Sequence, residues 1–127
     1  MISFAEQQYE RLVNELKLGH QYPTSGIPTQ THWNLNTDPT EKNANWVDGF
    51  FPGVLWQLFH HTKNATWKER AQTATHGLLK QQYNNGTHDI GFLVLCSYGE
   101  EYAATGNKSI QDIIINASKH LASRFNS

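Results

Sequence analysis

The chain of 127 residues contains a single cysteine, Cys96. One thiol cannot form an internal disulfide, and it cannot supply a zinc site made of several thiolates. Ten Lys and Arg side chains against eleven Asp and Glu give a net charge of −1, without a basic stripe. Nucleic acid and anionic membrane surfaces are therefore not expected as partners, because both bind proteins through clustered basic side chains.

Long hydrophobic runs are also missing. The longest, residues 91–96, is far shorter than the ~20 residues that a membrane span needs. The first residues, MISFAE, have neither the basic start nor the apolar stretch of a secretory signal. We therefore expect a cytoplasmic protein. None of the seven His residues falls in a metal-ligand spacing, so no metal and no other cofactor is predicted.

Apolar residues recur with the period of an α-helix in most of the remaining chain. They predict five helices, along Ala5–Leu16, Phe51–Phe59, Trp67–Leu78, Phe92–Tyr102 and Ile110–Leu121, with Gly19 ending the first. Residues 20–45 are rich in Pro, Thr, Asn and Gly, show no period, and are predicted to form a long loop. No strand is predicted. The fold class is therefore all-α, with residues 1–127 in one domain.

Part of the chain repeats. Gly49-Phe50 recurs 42 residues later as Gly91-Phe92, and the turn Thr62-x-Asn64 recurs 43 residues later as Thr105-x-Asn107. The two copies therefore align with one inserted residue. Each copy is predicted to be a helical hairpin, and hairpins of this kind are stabilised by stacking on their neighbours. We expect the N-terminal part of a longer ring or solenoid of hairpins; a complete bundle of two and a half repeats is the alternative.

The repeat gathers polar and aromatic residues at the starts of two helices. Trp46 and Asp48 precede the second helix, and His88 and Asp89 precede the fourth. Corresponding helices of stacked hairpins run parallel, so these residues should meet at one end of the array. The aspartates could simply cap their helices. Trp46 could pack back on its own helix, or its indole could present a flat face to a sugar ring.

Two blocks in these positions, WVDGFFPGVLW from Trp46 to Trp56 and THDIGF from Thr87 to Phe92, resemble the unsaturated glucuronyl hydrolase family of glycoside hydrolases. The resemblance implies an (α/α)6 toroid, of which this chain would form an incomplete ring. It also implies a substrate, an oligosaccharide that carries a 4,5-unsaturated uronic acid at its non-reducing end. The family removes this sugar by hydrating the C4=C5 enol ether.

The same resemblance implies roles for individual residues. Asp89 matches one of the two essential aspartates, and Trp46 and His88 match substrate-binding positions. Asp48 and Phe92 are expected to line the same mouth. The second essential aspartate would lie beyond residue 127, so the isolated chain is expected to be inactive. Two alternatives stay open at this stage: a catalytically dead carbohydrate-binding remnant, and a hydrolase of unsaturated galacturonyl-rhamnose.

Overall fold

The computed structural model describes residues 1–39 and 43–125. Helix α1 is followed by two short strands, a 3-10 turn and a series of helices. In chain order the elements are α1 (Ile2–Glu15), β1 (Tyr22–Ser25), β2 (Asn34–Asn36), a 3-10 turn (Trp46–Gly49), α2 (Phe50–Thr62), α3 (Ala65–His76), a second 3-10 turn (Leu79–Tyr83), α4 (Ile90–Val94), a π-helical turn (Leu95–Gly99), α5 (Glu100–Thr105) and α6 (Lys108–Ala122). Because α4, the π turn and α5 are continuous, the described residues contain the five predicted helices.

The first helical hairpin, α2 with α3, turns at Thr62-Lys63-Asn64. The Thr62 hydroxyl donates a hydrogen bond to the Leu58 carbonyl at 2.7 Å, and Lys63 takes a left-handed conformation at φ 58°. Asn64 then caps α3 by accepting a hydrogen bond from the Thr66 amide at 3.0 Å. A side-chain acceptor at this position satisfies one of the free N–H groups at the helix start.

The second hairpin repeats this turn at Thr105-Gly106-Asn107. The Thr105 hydroxyl donates to the Glu101 carbonyl at 2.7 Å, Gly106 has φ 63°, and Asn107 accepts from the Ser109 amide at 3.1 Å. The predicted helical-hairpin repeat is thereby confirmed in both its helices and its turn.

The π-helical turn accounts for the extra residue of the second copy. The offset between copies is 42 at Phe92 and 43 at Thr105, and Leu95–Gly99 lies between these two positions. A single π turn accommodates one more residue than the α-helix around it. The inserted residue is therefore absorbed within this helix, and the hairpin turn keeps its geometry.

The two hairpins touch backbone to backbone at the start of α2. A Cβ atom on Gly49 would collide with the Phe92 carbonyl oxygen, and one on Gly53 would lie 2.6 Å from the Cys96 carbonyl oxygen. The buried core extends from this contact along both hairpins and one face of α1. Its members include Leu12, Val13, Phe51, Leu55, Trp56, Leu58, Trp67, Ala71, Ala74, Leu78, Ile90, Leu93, Val94, Tyr98, Ile110 and Ala117.

The prediction that residues 20–45 contain no strand was wrong. Tyr22–Ser25 and Asn34–Asn36 pair as antiparallel strands, with Tyr22 opposite Asn36. Tyr22 is fully buried, and its hydroxyl donates a hydrogen bond to the Ala74 carbonyl in α3 at 2.6 Å. A contact with a distant helix therefore holds this β-hairpin in place. No local sequence pattern predicts that contact.

Two helices also end at other residues than the sequence predicted. Helix α1 ends at Glu15 because Leu16 is extended, and Gly19, at φ 80°, lies in the turn that leads to β1. Helix α3 ends at His76, while Leu78 packs in the core from outside the helix. Among the described residues, no helix is long and apolar enough to cross a bilayer.

The close approach at Gly49 makes a prediction for stability. Gly49→Ala should lower the free energy of unfolding by about 1–3 kcal/mol, because its methyl group meets a backbone carbonyl that cannot rotate away. The matched control is Gly91→Ala at the equivalent position of the second copy, where an added Cβ meets no described atom within 4 Å. That change should stabilise the chain by up to about 1 kcal/mol. Urea denaturation of both variants measures the difference, and equal effects of the two changes would contradict it.

Candidate active site

The turn that carries Trp46 is fixed by a reciprocal pair of hydrogen bonds. The Asn45 side chain accepts from the Val47 amide at 3.2 Å, and Asp48 Oδ2 accepts from the Asn45 amide at 2.8 Å. This capping box satisfies backbone donors at the start of the turn. It places Trp46 at the outer end of the hairpin array with 48% of its surface exposed.

Trp46 is part of an exposed cluster of three aromatic rings with Phe50 and Phe92. The ring centroids are 5.7 Å apart for Trp46 and Phe50, 5.6 Å for Trp46 and Phe92, and 5.7 Å for Phe50 and Phe92. All three pairs meet at steep angles, an arrangement that aromatic rings favour. We call these residues the aromatic cluster. Contact between Trp46 and Phe50 agrees with packing of the indole on its own helix, yet about half of the indole stays open to solvent.

Asp89 precedes α4 but does not cap it. Among the described residues, its carboxylate makes no hydrogen bond to the backbone of the helix. Instead, Oδ2 accepts a hydrogen bond from the Thr87 hydroxyl at 3.2 Å, and Oδ1 lies 3.4 Å from Nε2 of the exposed His88. The Asp89 side chain is 27% exposed. Simple capping therefore does not explain Asp89, and the carboxylate remains accessible from outside.

The aromatic cluster and Asp89 lie at the same end of the array, as the repeat predicted. Phe92 lies three residues after Asp89, in the first turn of α4, and its ring contacts both Trp46 and Phe50. The geometry therefore joins a half-open indole, a carboxylate and the His88 imidazole on one rim. Such a rim can pack against the C–H face of a sugar while its polar groups meet the hydroxyls.

Asp48 does not lie on this rim, and its expected place in the mouth is corrected by the structure. It is fully buried, and its Oδ2 accepts hydrogen bonds from Asn36 Nδ2 at 2.6 Å and from the Asn45 amide at 2.8 Å. Burial raises the pKa of its carboxyl to about 6, although the two hydrogen bonds act in the opposite direction. Asp48 is also not the N-cap of α2, which is Gly49; it is the third residue of the 3-10 turn, and its carboxylate closes the capping box with Asn45.

Phe50, Thr87 and Asn36 belong to this region but were not predicted as site residues. A signal existed for Phe50, since the 42-residue offset makes it the equivalent of Phe92. Thr87 could have been inferred from its place two residues before Asp89, where a hydroxyl can reach a neighbouring carboxylate. Asn36 gives no such signal, because it contacts Asp48 only through the fold. Within residues 1–39 and 43–125, no three His, Cys, Asp or Glu side chains are grouped to hold a metal ion.

Comparison with known proteins relates this geometry to known enzymes. No protein-family model matches the chain. An unsaturated glucuronyl hydrolase of Formosa agariphila is 33% identical over 123 residues, which are 94% of this chain and 31% of the relative. An unsaturated chondroitin disaccharide hydrolase of Streptococcus pneumoniae is 25% identical over 122 residues, again 94% of this chain and 31% of the relative. The chain thus spans about a third of the length of these relatives.

Solved structures agree. A crystal structure of an unsaturated glucuronyl hydrolase specific for heparin superposes with a TM-score of 0.80 at 32% identity, covering 94% of this chain and 30% of that one. A variant enzyme from Streptococcus agalactiae, in complex with dGlcA-GalNAc6S, shares the fold with a TM-score of 0.81 at 24% identity, over 98% of this chain and 32% of its own.

The class follows from these matches: the helical hairpins form part of the α/α toroid of a group of glycoside hydrolases. Within that class the chain is homologous to the unsaturated glucuronyl hydrolases. The resemblance carried by the blocks at Trp46–Trp56 and Thr87–Phe92 is thereby confirmed.

The buried carboxyl of Asp48 predicts a defined effect of pH on stability. Its pKa is about 6 in the folded chain and about 3.9 in an unfolded one. Between these values the folded state holds a proton that the unfolded state releases. Raising the pH through this window should therefore lower the free energy of unfolding, by up to roughly 3 kcal/mol.

Urea denaturation from pH 4 to 7 measures this effect. Asp48→Asn should remove this dependence of the free energy of unfolding on pH, because the amide does not titrate. Asp112→Asn, a change at an exposed position of α6, should keep the dependence. Identical pH profiles for the Asp48→Asn variant and the unchanged chain would contradict the assignment.

Proposed function

We propose that these residues form part of the substrate site of an unsaturated glucuronyl hydrolase. The substrate class is an oligosaccharide with a 4,5-unsaturated uronic acid at its non-reducing end. The observation that carries the proposal is the rim itself, where the open indole of Trp46 and the accessible carboxylate of Asp89 are linked through Phe92. The homologous enzymes support it, since their names describe unsaturated glucuronyl and chondroitin disaccharide hydrolases.

Trp46 supplies the stacking surface in this proposal. A sugar ring presents C–H groups on its faces and hydroxyls at its edge, so it binds best where an aromatic plane adjoins polar groups. Contacts with Phe50 and Phe92 restrict the indole while leaving about half of it open. His88 is 84% exposed beside Asp89, where it reaches hydroxyl or carboxylate groups of the substrate edge.

The proposed reaction is a hydration that leads to cleavage. A carboxylic acid donates a proton to C4 of the enol ether, and positive charge develops at C5. Water adds to C5 and loses a proton, giving a hemiketal. Opening of the hemiketal breaks the C5–O5 ring bond and gives a ketone at C5 and a hemiacetal at C1. Collapse of that hemiacetal to an aldehyde breaks the link to the neighbouring sugar, which leaves with a hydroxyl group, so one water molecule is consumed overall. This route differs from the usual attack on the anomeric carbon by two carboxyl groups.

In this scheme Asp89 is the negatively charged carboxylate that acts beside the separate proton donor. A fixed negative charge near C5 lowers the energy of the cationic transition state. The proton donor of the scheme is the second essential aspartate that the resemblance implies. The cytoplasmic location expected from the sequence and the single-domain boundaries 1–127 stay predictions.

The proposal predicts separate effects for the two rim residues. In the enzyme that contains this chain, Asp89→Asn should reduce kcat by a factor of about 10² or more, because it removes charge that acts in the transition state. Trp46→Ala should act mainly on KM, raising it by about tenfold, because stacking is present before and during the reaction.

Loss of the ultraviolet absorbance of the enol ether follows both reactions. Asp112→Asn, on the exposed face of α6, serves as the control and should leave both constants unchanged. An Asp89→Asn enzyme with an undiminished kcat would refute the role of Asp89. Sugar binding without turnover by the unchanged enzyme would favour the carbohydrate-binding alternative.

A further inference from the structure

We propose that Asn36 and Asp48 are positioning residues that fix the indole of Trp46 for sugar stacking. The hydrogen bond between them fastens the β-hairpin to the turn that carries Trp46. This inference rests on the proposed function, since it assigns a purpose to the orientation of Trp46. Asp48 is fully buried, so it acts on the sugar through the turn that carries Trp46 and not by direct contact.

Asn36 is held in one orientation by three hydrogen bonds. Its Nδ2 donates to Asp48 Oδ2 at 2.6 Å and to the Asn43 carbonyl at 3.1 Å. Its Oδ1 accepts from the Asp38 amide at 3.0 Å. An Asn side chain has two donor hydrogens and one acceptor oxygen, and here both ends are engaged. Asn36 therefore connects the end of β2 to the segment that leads into the Trp46 turn.

Asp48 accepts the hydrogen bond from Asn36 on Oδ2, the same oxygen that accepts the hydrogen bond closing the turn. Its Oδ2 accepts from Asn36 on one side and from the Asn45 amide at 2.8 Å on the other. Hydrogen bonds to a carboxylate are stronger than neutral ones, and a buried setting strengthens them further. Trp46 lies between Asn45 and Asp48 in the chain. The bond from the Asn45 amide to Asp48 closes a ring that includes the Trp46 backbone and restricts its rotation.

The β-hairpin is itself held to α3, so the hydrogen bond from Asn36 to Asp48 joins the Trp46 turn to a fixed part of the fold. Tyr22 pairs with Asn36 across the two strands. Its ring is fully buried, and its hydroxyl donates to the Ala74 carbonyl of α3 at 2.6 Å. A continuous series of contacts therefore runs from α3 through Tyr22, Asn36 and Asp48 to the Trp46 turn. The groups that face Asp48 from neighbouring elements are Tyr22 of β1, Asn36 of β2 and the Asn45 amide.

The first test reads the order of Trp46 without any substrate. Fluorine NMR of the chain labelled with 5-fluorotryptophan gives one resonance for each of four tryptophans, and Trp46→Phe identifies the one that matters. Asn36→Ala should broaden or shift the Trp46 resonance. The matched control is Asn34→Ala in the same strand, whose side chain donates a hydrogen bond within the β-hairpin, to Ser25 Oγ, and to no other group that the structure describes. An unchanged Trp46 resonance in Asn36→Ala would overturn the inference.

The second test asks whether Asn36 acts through Trp46. In the active enzyme, Asn36→Ala should raise KM by about tenfold with kcat altered by less than about twofold. In a Trp46→Ala background the same change should have no further effect on KM. A double-mutant cycle measures this coupling. Additive effects of the two changes would overturn the inference, because a residue that acts through Trp46 cannot matter once the indole is gone.

Variants at Asp48 separate geometry from bulk destabilisation. Asp48→Asn can place its amide oxygen where Oδ2 accepts both bonds, so it should keep KM within about twofold of the unchanged enzyme. Asp48→Ala removes the acceptor and should raise KM by about tenfold or more. Equal impairment by both changes would contradict positioning through this oxygen.

Failure of the inference differs from failure of the proposed function. If Trp46→Ala leaves KM unchanged, the proposed function of the rim fails, whatever the NMR spectra show. If Trp46→Ala raises KM while Asn36→Ala alters neither the Trp46 resonance nor KM, the proposed function of the rim is supported and the positioning role of Asn36 is refuted.

Discussion

The site depends on the close approach of two backbones at the start of α2. Gly49 and Gly53 have no side chains to separate α2 from the second hairpin, so the carbonyl groups of Phe92 and Cys96 lie against them. The residues just before α2 are consequently placed beside the first turn of α4. The Trp46 indole contacts Phe92 beside this approach, and Asp89 is the residue that precedes that turn. The arrangement of the rim therefore follows from packing of the two backbones at Gly49 and Gly53.

The sequence predicted the repeated parts of the fold well and the unrepeated part poorly. Helical periodicity and the Thr-x-Asn turns are local patterns, and each appears twice, so errors in one copy are corrected by the other. The change of offset from 42 to 43 indicated one inserted residue in the second copy, and the structure shows that the π turn at Leu95–Gly99 accommodates it. The β-hairpin had no comparable signal, because strands of four and three residues are too short to alternate. Burial of Tyr22 against Ala74 is a contact between segments 52 residues apart.

The candidate site also has residues that the repeat predicted and residues that it could not predict. Trp46, Phe92 and Asp89 could be placed on one rim because the repeat makes the helix starts equivalent. Asp48 and Asp89 look alike in the sequence, since both come just before a helix, but their surroundings differ completely. Asp89 is partly exposed and bonded to Thr87, whereas Asp48 is closed off by Asn36 from a segment with no period. Only the three-dimensional structure distinguishes the aspartate on the surface from the one beneath it.

Asp48 illustrates what a buried charge contributes. Burial raises the pKa of its carboxyl to about 6, which means that the ionised form is destabilised where it stands. A neutral side chain would relieve that cost, and Oδ1 of Asp48 is buried without a hydrogen-bond partner among the described residues. Buried polar groups with well-formed hydrogen bonds can instead specify one arrangement among several of similar energy. Here the arrangement specified is that of the turn holding Trp46. In the two proposals, Asp48 of the first copy positions Trp46, and Asp89 of the second copy takes part in the reaction.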